Sequence, residues 1–159
     1  MPEFVKNADE LAKDAMEKIN PQLVNPFKLI IEFLIDNPAL ARSSKAKKAP
    51  EFGSDKYIIE QAKKFSKGRE LKKAGSMKTI PDEMVSLILN KYFGVTEENM
   101  ERANEWHRLS MAAENIIGDV LERYVASVLE KEGWAWCSGS MVKAVDFVYR
   151  DNDRGWVPL

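Results

Sequence analysis

Three neighbouring stretches decide the fold: Glu114-Asn-Ile-Ile-Gly-Asp-Val-Leu-Glu-Arg-Tyr124, then Gly133-Trp-Ala-Trp-Cys-Ser-Gly139, then Val142-Lys-Ala-Val-Asp-Phe-Val-Tyr149. Across the first, Ile117, Leu121, Tyr124, Val125 and Val128 recur at helical spacing and predict a helix with one apolar face. After Gly133 the composition turns aromatic and branched, so Trp134–Ser138 and Met141–Tyr149 read as strands joined through Ser138-Gly-Ser140. Arg150-Asp-Asn-Asp-Arg-Gly155 is a second turn, and Trp156-Val-Pro-Leu159 begins a third strand. A helix feeding a short meander predicts an α+β fold. The sheet is expected to be incomplete, stopping at an unpaired edge or an unfinished strand.

Upstream, the chain reads as helical. Ala8 to Ile19 carries Leu11, Ala12, Ala15, Met16 and Ile19 at helical spacing and stops at Asn20-Pro21. Pro26 to Ile35 is apolar on nearly every side, which predicts a buried helix. Arg42 to Pro50 is a polar, basic loop expected to become ordered on DNA. Ser54 and Asp55 cap a basic helix through about Lys67, and a helix from near Pro81 is expected to bury Met84, Leu87, Ile88 and Tyr92. Thr96, followed by Glu97 and Glu98, caps the long helical region after it. The expected division is a helical region over 1–95, with its basic segment at 42–78, and a second region over 96–159.

With 159 residues, 45% hydrophobic and 31% charged, the chain has an ordinary globular composition. It has no apolar run long enough to cross a bilayer and no secretory signal at Met1-Pro2-Glu3-Phe4, so a cytoplasmic location is expected. A single cysteine, Cys137, and a single histidine, His107, exclude an intramolecular disulfide framework and a Cys/His metal cluster. The net charge of −1 conceals an asymmetry: twelve lysines and arginines stand against four acidic residues from Arg42 to Lys78. Such an excess favours a polyanion by counterion release. Lys45, Lys47, Lys48, Lys63, Lys64, Lys67, Arg69, Lys72 and Lys73 are therefore the candidate phosphate contacts, against the plainer reading of a solvated linker and helix face.

Three carboxylates stand out. Glu114 falls near the middle of the apolar face of the predicted helix, and Glu122 lies at its edge beside Gly118. A carboxylate on such a face is costly to desolvate without a partner or a metal. The plainer readings are that the helix starts after Glu114 and that Glu122 reaches solvent. Asp146 sits within a predicted strand, where aspartate is disfavoured. It either pairs with a base such as Lys143 or serves as a ligand for Mg2+, which takes one or two protein carboxylates and completes its shell with water and phosphate oxygens. Trp106, Trp134, Trp136 and Trp156 read as packing residues and Cys137 as structural.

Gly118-x-x-x-Glu122, then Gly133-Trp134, then a strand carrying Asp146, resembles the start of the PD-(D/E)xK nuclease core. The three stretches quoted above are similar to SinI-type restriction endonucleases. The resemblance implies a Mg2+-dependent enzyme that cuts double-stranded DNA at a short specific sequence, usually as a homodimer, with 96–159 forming the start of its core. It makes Asp146 the metal-binding aspartate and Glu122 the helix glutamate, with Glu114 the competing assignment. The chain departs from the pattern in one respect. The family follows its aspartate with a Glu/Gln/Asp-x-Lys strand, whereas no lysine or arginine follows Arg154, and Lys143 is a poor substitute. The expectation is an N-terminal portion, truncated before the lysine and inactive alone. The alternatives are a noncatalytic DNA-binding or interaction module, or another nuclease with the same core, such as a resolvase.

Overall fold

The structure, a computed structural model, describes residues 3–42, 49–70, 82–138 and 141–159. Its elements are helices α1 (Ala8–Ile19), α2 (Val24–Asp36), α3 (Asp55–Gly68), α4 (Glu83–Phe93) and α5 (Glu97–Leu129), then strands β1 (Ala135–Trp136), β2 (Phe147–Asp151) and β3 (Gly155–Pro158). The fold is therefore α+β. The chain divides into two compact units, Met1–Leu71 with Val125–Leu159, and Lys72–Tyr124. The division expected from sequence, between 95 and 96, falls inside the second of these.

In the first unit, α2 is the central element. Phe27, Ile30, Ile31, Phe33 and Leu34 are all buried, which explains why this helix is apolar nearly all round. On one side it packs on α1, which in turn packs on α3, and the Phe27 ring of α2 reaches the Phe65 ring of α3 at 5.4 Å. On the other side lies the sheet, through Ala135, Cys137 and Val148. Each fully buried aliphatic or aromatic side chain contributes about 2 kcal/mol. Local chemistry sets the ends: Ser54 Oγ accepts the Tyr57 N–H at 3.2 Å to start α3, and the Asn20 side chain accepts the Gln22 N–H where α1 gives way to Pro21.

The sheet is antiparallel, in the order β1-β2-β3, with Trp136 opposite Phe147 and Tyr149 opposite Val157. One face carries Ala135, Val148 and Trp156 toward α2. On this side the Trp156 ring meets Phe33 at 5.3 Å, and its indole N–H donates to Asp36 Oδ2 at 2.8 Å. The opposite face carries Trp136 and Phe147 against Ala126, with Val125 and Leu129 alongside, and Trp134 stacks on Tyr149. The β2–β3 turn is closed by Asp151 Oδ1, which accepts the N–H groups of Asp153 and Arg154 at 2.9 and 2.8 Å. Gly155, the first residue of β3 and the partner of Asp151, takes the left-handed conformation at φ 76° on leaving this turn.

Two sequence expectations fail in this part of the chain. Met141 to Val145 is not strand: Val142 makes an isolated bridge to Ala41, and the Lys143 N–H donates to the Leu40 carbonyl. The segment pairs with the chain that leaves α2, and Ala144 turns into the left-handed region at φ 52° before β2 begins. The second failure is in α4. Met84, Leu87, Ile88 and Tyr92 are exposed rather than buried, Tyr92 at 82%. Periodicity locates an apolar face but does not say what covers it.

Gly53 ties the N-terminal segment to the core. At φ 76°, it accepts the Val5 N–H on its carbonyl at 3.1 Å, and a Cβ built there would stand 2.4 Å from the Glu3 carbonyl oxygen. Gly53→Ala combines a left-handed penalty with a backbone clash and is expected to cost about 2 kcal/mol in urea unfolding. A midpoint indistinguishable from the parent protein would contradict this packing.

Candidate active site

Asp146 immediately precedes β2, and its backbone is held on both sides. Its N–H donates to the Leu159 carbonyl and its carbonyl accepts from the Cys137 N–H, both at 2.8 Å. The side chain is exposed. Among the described residues no lysine or arginine forms an ion pair with its carboxylate. Lys143, the bland partner considered from sequence, instead places its ammonium on the Ala39 carbonyl at 3.1 Å. The mid-strand argument for Asp146 therefore falls away, because a solvated carboxylate at a strand entry has no desolvation cost to offset. What remains is a carboxylate open to solvent on a stretch of backbone hydrogen-bonded at both sides.

Behind it lies a polar cluster that sequence reasoning did not assemble. The Arg69 guanidinium, 13% exposed, donates to Glu130 Oε1 at 2.7 Å and to the Trp136 carbonyl at 2.9 Å. The same Glu130 oxygen accepts the Trp136 N–H at 3.2 Å. Arg69 also lies over the Phe65 and Trp136 rings, 4.5 and 4.9 Å from their centroids. The end of α3, the turn after α5 and strand β1 are thereby joined next to Cys137, the residue bonded to Asp146. Arg69, read from sequence as a DNA contact, is a packing cation here. Its only sequence signal was its place beside Gly68 at a helix end.

Of the other candidate phosphate contacts, Lys63, Lys64 and Lys67 project from the exposed side of α3, opposite buried Ile58, Ala62 and Phe65. Lys64 is 4.0 Å from Glu60. Lys45, Lys47, Lys48, Lys72 and Lys73, with residues 43–48 of the loop expected to order on DNA, lie outside the described residues. Glu114 and Glu122 belong to the second unit. Helix α5 already begins at Glu97, so Glu114 is helical, and it is exposed. The apolar face around it is exposed as well, so its carboxylate is not being desolvated. Glu122 is half-buried, beside the Asp119–Arg123 ion pair at 2.7 Å. Among the described residues no three histidine, cysteine, aspartate or glutamate side chains gather as a metal-holding group.

The sequence model of the SinI restriction endonuclease family matches residues 8–159. The chain belongs to the SinI restriction endonuclease family. It is 49% identical over 152 residues to the type II restriction enzyme SinI of Salmonella infantis, covering 95% of this chain and 66% of that protein. It is 50% identical over 149 residues to the type II restriction enzyme Eco47I of Escherichia coli, covering 93% and 65% respectively. The chain thus spans about two thirds of the length of the curated relatives it matches. No helix among the described residues is long and apolar enough to cross a membrane.

In this SinI-family chain, Cys137 makes a measurable neighbour for Asp146. Burial pushes its thiol up to about 12, and the Asp146 carboxylate acts in the same direction against the opposing Arg69 charge. Tyr57 is pushed up to about 12 by burial. Both groups hold their protons longer in the folded state than in the unfolded chain. The stability they contribute is whole below the ordinary thiol value of 9.0 and is lost as pH rises toward 12. The urea midpoint should therefore fall between roughly pH 9 and 11, with a shallower fall in Cys137→Ala. Iodoacetamide should label the native thiol roughly 100-fold more slowly than the urea-unfolded one. An equal labelling rate, or an unchanged pH slope in Cys137→Ala, would place the thiol in water.

Proposed function

We propose that the protein carrying this chain is a Mg2+-dependent type II restriction endonuclease. It hydrolyses phosphodiester bonds of double-stranded DNA within a short specific sequence, in the cytoplasm and as a homodimer. The nuclease core of the PD-(D/E)xK superfamily is part of the same reading, beginning in the 96–159 region, with 1–95 as its helical extension. The observation that carries it is Asp146: in a SinI-family chain, this carboxylate is exposed and free of ion pairing among the described residues, on backbone bonded at both sides. Asp146 and Glu122, with Glu114 as the competing helix carboxylate, would hold the ion. Bound Mg2+ supplies charge neutralisation at the scissile phosphate and a more acidic water.

The other roles fall to this chain's own side chains. Lys63, Lys64 and Lys67 form a positive helix face that positions the duplex through its phosphates, which supplies affinity without reading bases. Arg69, Glu130 and the Trp136 backbone brace β1, and with it the Cys137–Asp146 hydrogen bond.

The test uses this chain completed with the third of the Salmonella SinI relative that has no counterpart here. Incubated with plasmid DNA, it should give discrete fragments with MgCl2 and none with EDTA. Binding without cleavage would favour the noncatalytic module. Cutting confined to branched substrates would favour the resolvase reading.

A further inference from the structure

The second unit leaves a long apolar stripe in water. Along α5, Trp106, Leu109, Ala113, Ile117, Leu121 and Tyr124 are all exposed, the five large side chains at 56% to 67%. At 100° per residue they fall within an arc of about 120°, over a rise of ~27 Å. Helix α4 leaves this stripe open. It is joined to the far side of α5, where the Asn104 amide donates to Ser86 Oγ at 3.2 Å. Ser110 and Val120 complete the arc, so no charged residue interrupts it between Trp106 and Tyr124. Contiguous exposed apolar surface of this extent marks an interaction site in a globular protein.

The order of the stripe indicates its occupant. Its intervals are 3, 4, 4, 4 and 3 residues, the same in both directions. Its outer side chains follow the same symmetry, an aromatic at each end and a leucine inside each aromatic, while the inner pairs set small Ala113 against Ile117 and Ser110 against Val120. A contact across a two-fold axis requires a surface complementary to its own reversed copy, whereas docking an unrelated segment places no such demand on the order. The exposed area of these side chains is on the order of 700 Å2, close to one partner's share of a standard interface.

We infer that a second copy of this chain docks on this stripe, helix α5 antiparallel to helix α5, about an axis level with Asn115. Trp106 packs on Tyr124 of the partner subunit, Leu109 on the partner's Leu121, and Ala113 on the partner's Ile117. Small Ala113 facing Ile117 lets the helices approach closely at the centre, while the bulkier aromatics fill the wider ends. The inference deepens the homodimer reading above and names the surface it uses.

Sedimentation equilibrium of the 159-residue chain should give about twice its 18.1 kDa mass at micromolar protein. Ile117→Glu and Ala113→Glu, both at solvated positions, should return the monomer with unchanged circular dichroism. Orientation is read by oxidative cross-linking. Trp106→Cys and Tyr124→Cys should form a disulfide dimer when mixed and little when each is oxidised alone, since like positions stand ~27 Å apart. A monomeric parent chain, a dimer that survives both charge substitutions, or self-linking of Trp106→Cys as efficient as the mixed reaction would each overturn the inference. A monomer would leave the stripe to another segment of a longer polypeptide. Neither DNA nor metal enters the measurement, so failure here and failure of the cleavage reading are separately visible.

Discussion

Asp146→Asn is expected to lower Mg2+-dependent cleavage by the completed protein at least ~1,000-fold while leaving its folding free energy within about 0.5 kcal/mol. The substitution keeps the shape of the side chain and removes its charge. Three features make the two effects separable. The side chain is exposed, so little packing is lost. Among the described residues it has no ion pair to break. The bonds that fix this position run through its backbone N–H and carbonyl, which asparagine retains. Loss of a metal ligand would therefore appear as lost cleavage with an unchanged urea midpoint. Raising MgCl2 would recover part of the rate if asparagine still binds weakly through its carbonyl oxygen. Glu122→Gln and Glu114→Gln, assayed in parallel, assign the helix carboxylate. A rate within tenfold of the parent in Asp146→Asn would remove this residue from the chemistry.

The helices were largely legible because their signals are local. Asn20-Pro21, Ser54-Asp55 and Thr96 mark ends that depend on a few neighbouring backbone groups, and α1 spans the residues its spacing predicts. Burial was legible for most of α2, where Phe27, Ile30, Ile31, Phe33 and Leu34 are buried although Ile35 is exposed, and for Ala12 and Met16 of α1. For α4, and for the face of α5 around Ile117, the apolar period was correct and the inferred burial was not, since period carries no information about what lies opposite. The strands were recognised by composition, but the start of β2 was not. Val142 and Lys143 are held by Ala41 and Leu40, about a hundred residues earlier in the chain, and alternation cannot report so distant a competitor.

Of the candidate site, the sequence pointed to Asp146 and not to the residues packed around it. Asp146 was found through a premise about strand interiors that the structure removes, together with a resemblance that the family match supports. Lys63, Lys64 and Lys67 occupy the solvated face their spacing implies, whereas Arg69, two residues beyond Lys67, turns inward. Nothing in a count of basic residues separates them. The difference arises because Glu130 and the Trp136 carbonyl, some sixty residues farther on, converge where α3 ends. Such a cluster is a product of tertiary packing.

That cluster predicts the largest effect on stability. Glu130→Ala should cost about 3 kcal/mol, because it leaves a mostly buried guanidinium without that counter-charge and removes the acceptor of the Trp136 N–H. Arg69→Ala should cost a similar amount, adding the loss of its contacts with the Phe65 and Trp136 rings. The instructive protein is Arg69→Met/Glu130→Met. Two apolar side chains of similar length restore volume and leave no unmatched charge, so the double variant should be more stable than either single methionine variant. Urea unfolding read through tryptophan fluorescence measures all three, and Trp136 reports directly because it stands between the substituted positions. If the methionine costs simply add, the two charges do not act as a pair, and β1 is held by its apolar face alone. If they do not add, the charge pair specifies how α3 docks on β1, and the double variant should retain the fold while loosening the Cys137–Asp146 bond. Faster iodoacetamide labelling of Cys137 in the double variant than in the parent protein would show that loosening. Unchanged labelling would mean that the backbone around Asp146 is fixed without the pair.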